Sequence, residues 1–429
     1  MLLKLNHTQS LTNTSIKITG SKSETNRLLL LKALFKGFDI INLSNSDDGA
    51  VMQKALYSQE ETVDIHHAGT AMRFLTAYFA IQQGRETVLT GSERMQERPI
   101  KILVEALRSM GASISYEKMD GYPPIRIKGK QLHAQEVVLK ANVSSQYISA
   151  LMLIGAALEK GLKITLAGKI TSVPYINMTL QLLHQLGIEA QFKEQEISIQ
   201  PFKATPKFSK ITVESDWSSA SYFYSIVALL SAEQAGSRKT NLAKAGKAKN
   251  IELRISSYKK DSLQGDAVLQ SLYKQLGVQS KFEGNTLVLS ALDHFELPDH
   301  ITFDLANAPD IAQTIAVSCL GLGVGCTLSG LHTLKIKETD RLEALKAEIT
   351  KLGGMITVTN DTLILQAQQQ PLQANVTIAT YNDHRMAMAF APLALCTTLQ
   401  IEDAGVVSKS YPYFWKDLQT AGFSYEIIG

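Results

Sequence analysis

A recurring helix–glycine–strand pattern is the feature of this sequence that most restricts its fold. In each copy, a helix-like stretch ends at a glycine and is followed by residues that alternate between apolar and polar. A glycine after the last helical turn supplies the left-handed conformation that ends a helix, and the alternation is typical of a strand. The copies occupy 105–117, 180–192, 269–282, 345–358 and 416–427, with glycines Gly111, Gly187, Gly277, Gly353 and Gly422. The pattern predicts a chain built from repeats of one α/β unit.

Two series of residues give the length of this repeat. The glycines are 76, 90, 76 and 69 residues apart. Polar clusters that run directly into an apolar helix begin at Lys22, Gly69, Ser144, Ser218, Asp310 and Asp383. Six starts in 429 residues correspond to about 72 residues per unit, in agreement with the glycine spacing. We therefore expect six α/β repeats arranged as two globular lobes of three repeats each.

One segment interrupts the period. Residues 231–254 are basic, lack periodicity and account for the interval of 90 residues. We interpret this insertion as an exposed surface loop. Its GKAKN string does not form a phosphate-binding loop, because Gly246-Lys247 is followed by alanine.

Composition excludes several classes of protein. The chain has 43 Lys and Arg against 40 Asp and Glu, and a net charge of +3 disfavours nonspecific nucleic-acid binding. Three cysteines in so long a chain do not form a disulfide framework, which favours a reducing, cytoplasmic setting. The apolar stretches at 148–158 and 386–396 are too short to span a bilayer, and the first residues lack a signal-peptide pattern. We expect a soluble cytoplasmic protein with neither a membrane nor a nucleic-acid partner.

Cations are concentrated in the motif-like clusters, several of them at helix starts. They are Lys22, Arg27, Arg73, Arg98, Lys337, Arg341, Arg385 and Lys409. Helix N-termini add partial positive charge and free N–H groups. If several starts face one cleft, they would bind a small polyanion, with arginines making bidentate contacts to phosphate or carboxylate. For any single start, helix capping alone is the alternative interpretation.

Carboxylates among these cations favour an enzyme over a protein that only stores an anion. Asp310, Glu338 and Asp340 lie in these clusters, where nearby cations keep a carboxylate ionised and ready to act as a base. Glu338 is three residues before Arg341, close enough for an ion pair, and a surface salt bridge is the alternative. We interpret His384 as a residue that caps or pairs locally rather than one that transfers a proton.

The sequence predicts neither a metal site nor a cofactor. It contains no CxxC, no HExxH, no GxSxG and no GxGxxG after a strand. Cys319, Cys326 and Cys396 lie in or beside apolar helices, which is typical of buried, unreactive thiols.

The motifs resemble those of the EPSP synthase family, the 3-phosphoshikimate 1-carboxyvinyltransferases. Several of the matching strings are specific on their own, and they follow one another in order along almost the whole chain. They are GSKSETNR (20–27), HAGTAMRF (67–74), LTGSERMQERPI (89–100), SSQYISALM (144–152), TSVPYINMT (171–179), DSLQGD (261–266), APDIAQT (308–314), KIKETDRL (335–342), TYNDHRMAMAFAPLAL (380–395) and SKSYPYF (408–414).

This resemblance implies the two-lobed enolpyruvyl transferase fold, with six βαββαβ-type repeats, three in each lobe. The chain of that fold crosses between the lobes twice. We therefore expect one lobe at 21–214 and the other at 1–20 plus 215–429, with the active site in the cleft between the lobes. The resemblance implies no cofactor, and we expect a monomer.

The resemblance also implies a reaction. The family transfers the enolpyruvyl group of phosphoenolpyruvate to the 5-hydroxyl of shikimate 3-phosphate and releases phosphate, in the shikimate pathway to chorismate and the aromatic amino acids. Both substrates are small anions, which suits the clustered cations. The residues expected to bind phosphoenolpyruvate are Lys22, Gly69, Arg98, Gln146, Arg341, Arg385 and Lys409. Those expected to bind shikimate 3-phosphate are Lys22, Ser23, Arg27, Ser144, Ser145, Gln146, Ser172, Asp310 and Lys337.

By the same resemblance, three residues would carry the chemistry. Asp310 would take the proton from the attacking hydroxyl. Glu338 would protonate the methylene carbon of phosphoenolpyruvate and later remove that proton. Lys22 would help to neutralise the leaving phosphate. Glyphosate is expected to inhibit in competition with phosphoenolpyruvate, by packing against Gly69.

The chain departs from the family pattern at three positions, and two other functions remain open. His67, Phe74 and Thr333 stand where Asn, Pro and Asn are frequent, and Thr333 keeps a hydroxyl with a shorter reach. One alternative function is UDP-N-acetylglucosamine 1-carboxyvinyltransferase on the same fold. That family carries a reactive cysteine in a mobile loop, whereas no cysteine precedes Cys319 here. The other alternative is a non-catalytic polyanion-binding protein on the same scaffold.

Overall fold

The chain forms two compact units. The structure is a computed structural model that describes residues 1–8, 11, 13–140, 144–168, 170, 173–234, 252–368 and 370–428. Unit 1 comprises Met1–Thr19 and Glu214–Gly429, and unit 2 comprises Gly20–Val213. Ser172 and most of the basic insertion, residues 235–251, lie outside the described residues.

Short strands alternate with helices along both units. The strands are β1 (Leu3–Leu5), β2 (Thr14–Ile16), β3 (Asp39–Ile41), β4 (Thr62–Asp64), β5 (Glu86–Thr90), β6 (Ser113–Tyr116), β7 (Ile125–Lys128), β8 (Glu136–Lys140), β9 (Leu162–Ala167), β10 (Ala190–Lys193), β11 (Glu196–Ile199), β12 (Lys210–Thr212), β13 (Glu252–Ser256), β14 (Val278–Glu283), β15 (Thr286–Ala291), β16 (His300–Asp304), β17 (Gly325–Ser329), β18 (Ile356–Val358), β19 (Leu363–Leu365), β20 (Val376–Ile378), β21 (Leu399–Ile401) and β22 (Tyr425–Ile427). The α-helices are α1 (Lys22–Leu34), α2 (Asp47–Tyr57), α3 (Gly69–Ala80), α4 (Glu93–Gln96), α5 (Lys101–Ser109), α6 (Ser145–Gly155), α7 (Val173–Leu186), α8 (Trp217–Gln234), α9 (Leu269–Lys274), α10 (Ala312–Leu322), α11 (Arg341–Lys351), α12 (His384–Phe390) and α13 (Phe414–Thr420).

These elements build six sheets, three in each unit, and five of the sheets share one topology. Their strand orders are β4-β5-β7-β6, β8-β9-β11-β10, β2-β13-β15-β14, β16-β17-β19-β18 and β20-β21-β1-β22. The sixth sheet pairs β3 with β12 in parallel. The six-repeat α/β architecture is thus confirmed.

The order of elements within a repeat is βαβαββ, which differs from the βαββαβ order that the resemblance implied. The first and second strands of a repeat are parallel neighbours, as β4 and β5 are, and the third strand, β6, also runs parallel to the second. Parallel strands cannot be joined by a tight turn, so a helix crosses over after the first strand and again after the second. The last two strands pair antiparallel and follow one another without a helix.

Some sheets are assembled from distant parts of the chain. β1 lies between β21 and β22, so that Leu3 is opposite both Ile401 and Ile427. β2 pairs in parallel with β13, although the whole of unit 2 lies between these strands in the sequence. The chain therefore leaves unit 1 after β2 and returns to it after β12.

The sequence patterns that marked helix ends and helix starts are confirmed. Each of the five glycines of the repeat pattern has a positive φ, with values of 100° at Gly111, 88° at Gly187, 85° at Gly277, 94° at Gly353 and 113° at Gly422. The helix starts also agree: α1 begins at Lys22, α3 at Gly69, and Ser144 and Asp383 are the N-caps of α6 and α12.

The first helix of a repeat lies in the interior of its unit. In unit 1, α10 packs against α8 and α12, and every residue of α10 is buried. In unit 2, α1, α3 and α6 pack together. Helices that are apolar on nearly all sides must be covered by other elements, and the burial of these helices explains the long apolar runs of the sequence.

Within the part of the chain that the structure describes, no helix is long and apolar enough to cross a bilayer. Cys319, Cys326 and Cys396 are buried, as expected, and form no disulfide among the described residues.

Candidate functional site

Arg341 is the centre of a group of charged side chains in unit 1. It is the first residue of α11, and its side chain is 2% exposed. Its guanidinium donates to three carboxylates: Nε to Asp383 Oδ2 at 2.6 Å, Nη1 to Asp310 Oδ1 at 2.9 Å and Nη2 to Glu338 Oε2 at 2.8 Å. We call these four residues, together with the cations Lys337, Arg385 and Lys409, the Arg341 cluster.

Three further cations contact the carboxylates of the cluster. Lys337 Nζ is 3.4 Å from Asp310 Oδ1, and Arg385 Nη2 is 3.2 Å from Asp310 Oδ2. Lys409 Nζ is 3.6 Å from Glu338 Oε1. The structure thus brings together six residues that the sequence singled out: Asp310, Lys337, Glu338, Arg341, Arg385 and Lys409. The ion pair of Glu338 with Arg341 is confirmed, and the guanidinium that forms it is buried rather than on the surface.

Helix starts place these side chains. Asp310 lies in a 3-10 turn, Pro309–Ile311, that leads into α10. Asp383 is the N-cap of α12 and accepts a hydrogen bond from Arg385 N at 2.9 Å. Asp340, which the sequence placed among the cations, is the N-cap of α11 and accepts from Leu342 N at 3.1 Å. The starts of α10, α11 and α12 therefore contribute most of the cluster.

A strained turn before α12 holds Asp383 in place. Tyr381 and Asn382 both have a φ of 54°, in the left-handed region that side chains larger than glycine disfavour. The Tyr381 hydroxyl donates to Glu348 Oε1 at 2.6 Å, and Ala379 N donates to Glu348 Oε2 at 3.2 Å. Since Glu348 and Arg341 both belong to α11, this helix holds the segment 379–383 at two points.

Replacing Tyr381 with phenylalanine should lower the free energy of unfolding by about 1–2 kcal/mol, because a buried carboxylate loses a hydrogen-bond donor. Thermal or urea unfolding measures this difference. Tyr413→Phe is the matched control, because the Tyr413 side chain is 56% exposed, and it should leave stability unchanged. Equal stability of the two variants would contradict the role of the turn.

Charge interactions keep the centre of the cluster ionised. Burial acts to raise the pKa of Asp310, but Arg385, Lys337 and Arg341 outweigh burial and hold this pKa well below its usual 3.8. Burial acts to lower the pKa of Arg341, but Asp383, Glu338 and Asp310 raise it above its usual value. Because the pKa of Asp310 is depressed in the folded protein, its ionisation stabilises the fold above pH 3.8, and that contribution is lost as the pH falls below this value.

The predicted residues of unit 2 lie near the starts of its helices. Lys22 Nζ is 3.2 Å from Asp48 Oδ2. A Cβ on Gly69 would lie 2.7 Å from Arg98 Nη1, so this glycine and this arginine are in close contact. Gln146 Nε2 donates to the hydroxyl of Thr70, the residue after Gly69, at 3.0 Å. Gly69, Arg98 and Gln146 therefore meet at the start of α3.

The Arg27 side chain is held by hydrogen bonds within unit 2. Its guanidinium donates to Ser23 O at 2.8 Å, to Thr179 Oγ1 at 2.8 Å and to Ser149 Oγ at 3.0 Å. Burial lowers the pKa of Arg27 to about 10. The contact of Arg27 with a substrate stays a prediction.

The predicted serines of α6 differ in exposure. Ser144 caps α6 and accepts from Gln146 N at 3.4 Å, and Ser145 is buried in the first turn. Binding of a substrate by either serine stays a prediction.

The three departures from the family pattern have distinct surroundings. His67 Nδ1 lies 2.8 Å from Ser92 Oγ. The Phe74 ring is buried, and the Arg27 guanidinium carbon lies 5.4 Å from its centroid. Thr333 Oγ1 is buried and has no hydrogen-bond partner among the described residues.

Two acidic partners were not predicted from the sequence. Asp383 was identified only as a helix start, yet it is the third carboxylate around Arg341. Asp48 pairs with Lys22 from the first turn of α2. For Asp383 the available signal was a helix-opening aspartate in the same short motif as a cation, Arg385 of NDHR.

Comparisons with known proteins agree along the chain. A family model described as EPSP synthase (3-phosphoshikimate 1-carboxyvinyltransferase) matches residues 53–234 and 237–418. A 3-phosphoshikimate 1-carboxyvinyltransferase of Bacteroides fragilis (strain YCH46) is 46% identical over 419 residues, 96% of each chain. The enzyme of the same name from Shewanella woodyi is 33% identical, over 94% of this chain and 95% of its own.

Solved structures share the fold. EPSP synthase of Acinetobacter baumannii superposes with a TM-score of 0.77 at 20% identity, over 100% of both chains. The enolpyruvyl transferase NikO of Streptomyces tendae gives a TM-score of 0.72 at 14% identity, over 99% of this chain and 98% of its own.

Proposed function

Because this chain belongs to the EPSP synthase family and transfers the enolpyruvyl group of phosphoenolpyruvate to the 5-hydroxyl of shikimate 3-phosphate, we propose that the Arg341 cluster and the residues around Lys22 and Gly69 bind these two substrates. Phosphoenolpyruvate carries a phosphate and a carboxylate, and shikimate 3-phosphate carries the same two groups. Cations held ready at fixed positions are suited to binding such anions. The observation that carries the proposal is the direct contact of Asp310 with Arg341, Lys337 and Arg385.

Asp310 takes the proton of the attacking 5-hydroxyl in this proposal. In the free protein its three cationic partners make it a weak base. Arg341 and Arg385 are proposed to bind phosphoenolpyruvate, and Lys337 to bind shikimate 3-phosphate. When these cations turn to the anionic substrates, Asp310 loses part of their stabilisation and its pKa rises towards that of an effective base. Substrate binding thus prepares the base that the reaction needs.

Glu338 transfers the proton at the methylene carbon, and Lys22 acts on the leaving phosphate. Glu338 protonates the methylene carbon while the hydroxyl oxygen attacks the adjacent carbon, giving a tetrahedral intermediate. It then removes a proton from the new methyl group as the C–O bond to phosphate breaks, and the proton taken by Asp310 leaves with phosphate. Arg341 and Lys409, the cations next to Glu338, are proposed to turn to phosphoenolpyruvate, which favours the protonated form of Glu338. Lys22 neutralises the leaving phosphate.

A phosphate-release assay tests the function and its alternatives. The purified chain is incubated with phosphoenolpyruvate and either shikimate 3-phosphate or UDP-N-acetylglucosamine. We expect phosphate only with shikimate 3-phosphate. Turnover with the nucleotide sugar would favour the related transferase, and binding of both anions without turnover would favour a non-catalytic protein.

Gly69→Ala should raise the KM for phosphoenolpyruvate by roughly 10- to 100-fold, because the new methyl group would displace the Arg98 guanidinium. Steady-state kinetics with each substrate varied in turn measures this change. Gly405→Ala is the control, since a Cβ at Gly405 meets no atom within 4 Å, and it should behave as wild type. An unchanged KM in Gly69→Ala would show that Gly69 and Arg98 do not take part in binding phosphoenolpyruvate.

A further inference from the structure

A buried carboxylate outside the Arg341 cluster is connected to it by one serine. Asp266 lies in the 3-10 helix Gly265–Val268 of unit 1 and is 4% exposed. Its Oδ2 accepts a hydrogen bond from Ser218 Oγ. The same serine oxygen accepts from Arg385 Nη2 at 3.2 Å, and Arg385 in turn pairs with Asp310. A continuous chain of contacts therefore joins Asp266, Ser218, Arg385 and Asp310.

The segment that carries Asp266 is fixed against the start of α8. Gln264 Oε1 accepts from Trp217 N at 2.9 Å, and Gln264 Nε2 donates to Ser215 O at 2.9 Å. These bonds hold the 3-10 helix beside Ser218, the second residue of α8. Because Ser218 has one hydroxyl proton and gives it to Asp266, its lone pairs face the Arg385 guanidinium. Asp266 thereby determines the orientation in which Ser218 meets Arg385.

We propose that Asp266 is a positioning residue for Arg385, and that its charge state sets how strongly Arg385 attracts the anionic substrate. This inference rests on the proposal that Arg385 binds phosphoenolpyruvate. Neutral Asp266 leaves the full charge of Arg385 to the substrate. Ionised Asp266 adds a negative charge behind Arg385 and weakens the attraction for phosphoenolpyruvate.

The surroundings of Asp266 make its ionisation possible near neutral pH. Burial, the largest influence, and the charge of Asp310 raise the pKa of Asp266 to about 7, while Arg385 and the hydrogen bond from Ser218 act to lower it. Asp216, which precedes α8, adds to the rise. The other helix packed against this turn, α9, carries one charged residue, Lys274, and that residue is exposed. Asp266 Oδ1 has no hydrogen-bond partner among the described residues, which also favours the neutral acid.

The test compares the pH dependence of the KM for phosphoenolpyruvate in wild type and Asp266→Asn. Asparagine keeps an acceptor for Ser218 and removes the titration. We expect the ratio of the wild-type KM to the variant KM to rise roughly threefold or more between pH 6 and pH 8, with kcat changed much less. Titration of the substrate affects both enzymes equally and cancels in the ratio. Asp261→Asn, at an exposed position of the same segment, should keep the wild-type pH dependence.

Two further measurements separate the possible failures. Arg385→Lys should raise the KM for phosphoenolpyruvate, and an unchanged KM would refute the proposed role of Arg385. If Arg385→Lys has this effect but wild type and Asp266→Asn show parallel pH profiles, the inference about Asp266 alone is overturned. Should Asp266→Asn not fold, Ser218→Ala takes its place. A wild-type KM at every pH in Ser218→Ala would equally overturn the inference.

Stability gives an independent readout. Since the pKa of Asp266 is higher in the folded chain than its usual 3.8, its contribution to stability is fully present below that value and is lost as the pH rises through about 7. The Tm of Asp266→Asn relative to wild type should therefore be higher at pH 8 than at pH 5.5. A difference in Tm that does not change with pH would contradict a titration of Asp266 in this range.

Discussion

Replacing Arg341 with methionine should lower the free energy of unfolding by about 3–5 kcal/mol and abolish turnover. Methionine fills similar space but leaves Asp310, Glu338 and Asp383 without their shared guanidinium. Asp383 is fully buried, so its charge cannot be compensated by water. Urea unfolding at neutral pH measures the loss.

The matched control is Arg254→Met. Arg254 also pairs with two carboxylates, Glu252 and Glu283, but its side chain is 36% exposed. Exposed ion pairs contribute about 1 kcal/mol or less, so this variant should unfold close to wild type. If the two variants were equally stable, burial would not be the reason why the Arg341 contacts matter.

Asp310→Asn should reduce kcat by roughly 100- to 10,000-fold, the range that a positioned general base contributes. Asparagine keeps the size of the side chain but cannot take the hydroxyl proton. Steady-state rates of phosphate release, with folding checked by circular dichroism, measure the change. Asp293→Asn, an exposed aspartate of the same unit, should retain wild-type kcat. Near-normal turnover of folded Asp310→Asn would assign the proton transfer to another group.

The local patterns of the sequence were sufficient to find the helix ends and most residues of the Arg341 cluster. Gly111 and its four counterparts end helices because a left-handed residue is needed there, which is a local requirement. Asp310, Glu338 and Arg341 could be grouped in advance because they occur at or beside helix starts in charged motifs. Nothing in these patterns depends on distant parts of the chain.

Other features depend on contacts between distant segments and were not predictable in this way. Arg341 Nε donates a hydrogen bond to Asp383, which lies 42 residues further along the chain, and this contact depends on how α11 and α12 are placed. The contacts that connect Asp266 to Arg385 bring together three separate segments, which are the 3-10 helix Gly265–Val268, the start of α8 and the start of α12. The pairing of β1 with β21 and β22 joins strands of three residues, which are too short to carry a distinctive pattern.

That pairing of β1 has a consequence for how the protein is made. Unit 2 is one continuous stretch of chain, so it can fold as soon as residue 213 has left the ribosome. The sheet β20-β21-β1-β22 stays incomplete until Tyr425–Ile427 emerges, and neither partner strand of Leu3–Leu5 exists until Leu399–Ile401 has been synthesised. A strand that is synthesised before unit 2 is therefore among the last to pair, and the Arg341 cluster belongs to the unit that is completed later.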